Sequence, residues 1–138
     1  MAVGEPPYTE IDHTADWALQ VRGANVGELM AHAAEGMLGL MQVERGPGEG
    51  RPRKVRLQAA DPESLLVAWL EELVVRMEMA AVTFGDFHVR AVEATSLKAE
   101  FTEWPRVGLK KMIKAVTFHE LRIEPGQDGW QTTVVFDV

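Results

Sequence analysis

From Trp17 to Gly23 apolar and polar residues alternate. Trp17, Leu19 and Val21 interleave with Ala18, Gln20 and Arg22, a period of two that predicts a strand closed by Gly23. Asn25 then opens a helix, and Glu28 three residues on completes a capping box with Asn in place of the usual Ser or Thr. Leu29, Ala33, Met37 and Leu40 recur at helical spacing, and Met30, Ala34 and Met41 broaden the stripe. The stretch VERGPGEGRPR, Val43 to Arg53, is rich in Gly, Pro and charge and reads as a loop. It is no phosphate-binding loop, because no strand feeds it and no helix opens from it. KVRLQA then predicts a strand with Val55, Leu57 and Ala59 on one face.

DPESLLVAWLEELVVRMEM carries the strongest pattern in the chain. Asp61 suits an N-cap and Pro62 the first helical position. Leu66, Leu70, Leu73 and Met77 share a face with Trp69 and Val74, while Glu63, Glu71, Glu72 and Glu78 fall mainly on the other, solvated side. Beyond it FHVRAVEA, SLKAEFTEW, IKAVTFHELRIE and GWQTTVVFDV have strand composition, with turns at Thr95-Ser96 and from Pro125 to Gly129. The expected fold is a single α+β domain over residues 1–138. A mainly antiparallel sheet, its four C-terminal strands forming a meander, carries two amphipathic helices packed on one face.

Composition narrows the chemistry. The 138 residues suffice for one buried core, and 46% hydrophobic with 25% charged residues is the balance of a soluble globular protein. The absence of cysteine excludes disulfides, thiolate zinc sites and cysteine nucleophiles. No apolar run approaches the ~20 residues of a membrane helix, so no membrane association is expected. MAVGEPPYTEI shows no basic segment followed by an apolar one, which leaves a cytoplasmic location as the expectation. A net charge of −7 is repelled by phosphate backbones, so no direct high-affinity nucleic-acid binding is expected.

Candidate chemistry concentrates at the two ends. In TTVVFDV, Val134, Phe136 and Val138 alternate with Thr133, Val135 and Asp137, which turns Asp137 outward. With its side chain anchored in the core, Val138 would leave its main-chain carboxylate available, beside the carboxylate of Asp137. Adjacent anions repel unless a cation lies between them. Asp16, at the mouth of the first strand, would supply a third carboxylate if the two strand ends meet; oxygen ligands of this kind select calcium or magnesium over zinc or copper. The alternative for Asp16, as for Asp12 and Thr14, is a side-chain turn that starts the strand, and an Asp near a terminus is often simply solvated. His13 could brace that turn or ligate a metal. His119, read within a strand, fits a packed or bracing role. His32 and His88 have no supporting context. Ser64 in a helical first turn and Ser96 in a turn lack the surroundings of a nucleophile. Arg106, Lys110, Lys111 and Lys114 form a basic run, read either as a solvated loop or as a patch for an acidic or phosphorylated partner.

DHTADWALQVRG, ESLLVAWLEELV, IKAVTFHELRIE and the terminal VVFDV resemble the archease family, in order and spacing, over nearly the whole chain. The resemblance implies a small α+β activator of the GTP-dependent 3'-phosphate RNA ligase of tRNA splicing and RNA repair. Such a protein promotes guanylylation of the ligase's histidine and multiple turnover, and is not itself an enzyme. It further implies a metal site on Asp16, Asp137 and Val138, with calcium as the associated ion and magnesium or manganese as alternatives, and a role in activation for Lys114. His13, Thr14 and His119 become structural supports of that site. Phe118 departs from the family's tyrosine at that position. Two other readings compete: a small metal-dependent phosphoester hydrolase built on the same carboxylates, and a general chaperone-like module for nucleic-acid enzymes.

Overall fold

The computed structural model describes residues 6–11 and 16–138, with the side chain of Val92 left aside. The alternating segment is strand β2 (Trp17–Gly23), and β1 (Tyr8–Ile11) precedes it. Helix α1 spans Val26–Met41, β3 Glu44–Arg45, β4 Arg51–Gln58 and α2 Pro62–Met79. The chain continues as β5 (Val82–Val92), β6 (Ser96–Gly108), β7 (Ala115–Thr117), β8 (Glu124–Gly126) and β9 (Gly129–Asp137). All strand pairs are antiparallel. The fold is α+β with two helices on the sheets, as expected.

The strands form two sheets where one meander was expected. In the first, β9 is central: it pairs β2 on one side and β7 and β8 on the other, and β1 extends the sheet beyond β2. In the second, β6 lies between β4 and β5, with β3 against its C-terminal end. The segment from Ile113 to Glu124 therefore yields two short strands rather than one. Its middle turns instead of pairing, with Glu120 at a left-handed φ of 53°. The glycine-rich stretch after Val43 is likewise only partly loop. It contains β3 and the first residues of β4, Pro52 being tolerated because β4 is an edge strand. Cross-strand pairing with β6, invisible to local composition, overrides the turn-forming residues there.

Each helix begins where a cap was expected. The Asn25 side chain accepts a hydrogen bond from the Glu28 N–H (2.9 Å), and the Glu28 carboxylate reaches back to the Ala24 N–H (3.2 Å). Asp61 accepts from the Ser64 N–H (2.7 Å) and Pro62 follows as the first helical residue. Both helices pack closely. A Cβ on Gly36 would lie 2.5 Å from Leu19 Cδ2, so α1 approaches β2 to a distance only glycine permits. Gly27 does the same against the Val89 carbonyl of β5.

Trp69 of α2 is fully buried, donates from Nε1 to the Met30 carbonyl of α1 (2.9 Å) and meets Phe101 edge-on, with ring centroids 5.8 Å apart. That contact joins both helices to the second sheet. Leu19, Val134 and Phe136 bring in the first.

Two glutamates expected on the solvated face of α2 are otherwise engaged. Glu71 accepts from the Val116 N–H of β7 (2.8 Å) and Glu63 from the Ile123 N–H (2.8 Å). The outer edge of β7 thus finds on α2 the acceptor that a further strand would have supplied. No helix of the described residues is long and apolar enough to cross a membrane.

The Asp61 cap has a pH signature. Hydrogen bonds from the Ser64 N–H and then its side chain hold this carboxyl below its ordinary value of 3.8. A folded-state pKa below the unfolded one contributes stability that is full above the unfolded value and disappears as pH falls through the folded value. Thermal melts of Asp61→Ala will therefore lie below wild type at neutral pH, and the gap will narrow as pH is lowered below the ordinary carboxyl value of 3.8.

Candidate functional site at one end of the first sheet

The pairing of β2 with β9 determines what gathers at the sheet end. Trp17 pairs with Phe136 at the last rung of the ladder, so Asp16, just before β2, and Asp137, the last residue of β9, lie at the same end of the sheet. Asp16 is half-buried and engaged with its surroundings, and Asp137 is exposed as the last residue of β9. Alternation along β9 sends Phe136 into the core, where it is fully buried, and Val138 packs half-buried against the same core. Val135, on the outward parity with Asp137, is itself buried.

The third strand at this end is β7. Ala115 pairs with Asp137, and the Lys114 N–H donates to the Asp137 carbonyl (2.8 Å). Lys114 is exposed. Asp16, Asp137, Val138 and Lys114 therefore come together at one end of one sheet.

His119 does not join them. It lies past Thr117, on the far side of β7 from Asp137, in a turn rather than in a strand. Its N–H donates to the Thr117 hydroxyl (3.3 Å), which in turn donates to the Val135 carbonyl (2.9 Å), and its Nε2 is 3.9 Å from Glu120 Oε1. Asp12, His13 and Thr14 lie outside the described residues.

The donor set at this end is all oxygen: two carboxylates and the main-chain oxygen atoms of Val138. Among the described residues no three His, Asp or Glu side chains are grouped to hold a metal. A cation here would have to draw on the main chain as well as on the aspartates. Oxygen donors of this kind would suit a hard, oxygen-seeking divalent ion.

The basic run divides. Arg106 Nη1 lies within hydrogen-bonding distance of the carbonyls of Met77 (3.0 Å), Ala80 (3.2 Å) and Val82 (2.9 Å). Its guanidinium closes the C-terminus of α2, where carbonyls lack helical partners and the dipole favours a cation. Lys110, Lys111 and Lys114 are exposed. Sequence spacing could not separate Arg106 from them, because its acceptors lie more than twenty residues upstream. An open groove of about 700 Å³ lies elsewhere, between α1 and β5.

These features define a small, all-antiparallel α+β protein with an acidic sheet end. The chain belongs to the archease family: the model of the Archease protein family (MTH1598/TM1083) matches residues 8–138. It is 32% identical over 139 residues to the protein archease of Methanosarcina barkeri, covering 95% of each chain. It is 34% identical over 140 residues to that of Thermococcus gammatolerans, covering 95% of this chain and 98% of the relative. Its fold is similar to the solution structure of Methanobacterium thermoautotrophicum protein 1598, with a TM-score of 0.70 at 24% identity over 96% of this chain and 99% of the other. A crystal structure from Thermotoga maritima, described as an archease and possible chaperone, gives 0.68 at 22% identity over 100% and 99%.

Arg106→Ala will destabilise the fold by about 2 kcal/mol, the range for charged hydrogen bonds to carbonyls left unpaired. Arg106→Lys will recover only part of this, since an ammonium lacks the planar fork. Urea denaturation of the three proteins measures both differences.

Proposed function

We propose that the chain activates a GTP-dependent RNA ligase of tRNA splicing and RNA repair, and that Asp16, Asp137 and the main-chain oxygens of Val138 hold a divalent cation in doing so. The observation that carries this reading is the ladder between β2 and β9, which ends at Trp17 and Phe136 and so leaves Asp16 and Asp137 at the same sheet end as the half-buried Val138. The ligase as partner is what the resemblance to the archease family implies, and the family match over residues 8–138 supports that reading. The oxygen donor set favours calcium, with magnesium or manganese able to occupy the same ligands.

A bound cation would supply positive charge for phosphate oxygens at the ligase's guanylylation centre. The chain's own residues do the rest. Asp137 presents oxygens from the end of β9 and Asp16 from the residue before β2, and Val138 packs against the core beyond β9. Lys114, bonded through its N–H to the Asp137 carbonyl, sets a cationic side chain beside the acidic end, where it can reach a partner's carboxylate or phosphate. The protein acts on the ligase and turns over no substrate of its own.

The description of the Thermotoga relative as a possible chaperone supports a second, coarser reading, a binding module with several client enzymes. Recovery of one ligase or of many proteins on the immobilised chain, with and without chelator, separates the two.

Multiple-turnover ligation by a purified ligase tests the main proposal. Wild type will stimulate it and Asp16→Ala will not; equal stimulation by both would sink the cation mechanism. Calcium affinity of Asp16→Ala will fall by more than the roughly 10–100-fold typical of losing mere outer-shell support. A peptide tag fused directly after Val138 will weaken calcium binding too, though it changes no side chain.

A further inference from the structure

The second sheet carries a row of three cations. Arg56 of β4 pairs in register with Lys98 of β6, and Lys98 pairs with Arg90 of β5; all three are exposed. With strands ~4.8 Å apart, the three residues stand within about 10 Å on one sheet face. Like charges directly opposite across strands destabilise a sheet. Among the described residues no ion pair joins the three to a carboxylate, and Glu100 in the adjacent row pairs with Lys54 (3.6 Å). The chain has 21 acidic against 14 basic residues, so composition does not force three bases together.

Beside the row lies the groove of about 700 Å³, a volume in the range of small-molecule sites. Arg90, Lys98 and His88 line one side, and Asn25, Glu28 and His32 of the α1 region the other. His32 Nδ1 is 2.6 Å from the Arg22 carbonyl, so Nδ1 carries the proton and Nε2 remains an acceptor in the neutral ring. The two walls differ in chemistry: the sheet wall carries Arg90 and Lys98 together with Glu100, and the helix wall carries the acceptors Glu28, Glu35 and His32 without a cation.

The geometry points to a binding site for a small ligand with a polyphosphate group, its phosphates on Arg56, Lys98 and Arg90 and its hydrogen-bond donors toward Glu28 and His32. Three cations within about 10 Å match a few linked phosphoryl groups, which are compact and multiply charged. A single-stranded nucleic acid would instead use an open aromatic platform. Trp104, further along the same face of β6, is already covered, with Arg45 4.3 Å from its ring centroid and Gly85 beneath the ring. This site is separate from the acidic end of the first sheet and independent of its proposed cation.

Calorimetric titration with inorganic triphosphate tests it, using wild type, Lys98→Glu, and Lys111→Glu as a charge-matched change outside the row. Wild type will bind, Lys98→Glu will bind at least about tenfold more weakly, and Lys111→Glu will stay within about twofold. Lys98→Glu will also melt above wild type without ligand, because it breaks the like-charge row. Absence of binding by wild type, or equal weakening in both variants, overturns the proposal. So does a single-stranded oligonucleotide that binds through the same row more tightly than triphosphate.

Discussion

The pairing of β2 with β9 is the constraint on which this protein depends. It joins Trp17–Gly23 to Trp130–Phe136 across almost the full chain and builds the centre of the first sheet. Closing so long a loop costs entropy, though the cost grows only slowly with length. Burial of Leu19, Val21, Val134 and Phe136 from the paired strands offsets it. A slip of one residue would turn this apolar set to solvent, so the register is strongly specified. That same register brings Asp16 and Asp137 to one end of the sheet, so the candidate site depends on the packing of the core behind it.

The helices serve the sheets as polar partners as well as apolar cover. Glu71 and Glu63 of α2 take up main-chain N–H groups of β7 and of the segment entering β8. Arg106 of β6 returns a cation to the end of the same helix. Together these bonds hold α2 against both sheets at places where regular secondary structure leaves donors or acceptors unpaired. Trp69 anchors the centre by satisfying its own N–H on α1 while its ring packs on Phe101.

Charge is segregated on this acidic chain. Asp16 and Asp137 stand at one end of the first sheet, and a cationic row crosses the second. Like charges directly opposite on paired strands disfavour folding, so the row would gain from the proposed polyphosphate.

By itself the sequence determined the elements whose signals are local. Asn25 and Asp61 cap their helices because the hydrogen bonds involved span three residues. Alternation in WALQVRG and TTVVFDV marked the two strands that carry the site, and the apolar parity of Phe136 and Val138 turned Asp137 outward. Only the tertiary structure decided what depends on partners distant in the chain. It split the expected meander into two sheets, made strands of Glu44–Arg45 and Arg51–Gln58 by pairing them with β6, and moved His119 into a turn. It took Arg106 out of the basic run and drew Glu63 and Glu71 from solvent to the backbone, since nothing near them in sequence names the groups they bind. The row of Arg56, Lys98 and Arg90 is the extreme case: three unremarkable surface residues on three strands, brought into line only by register.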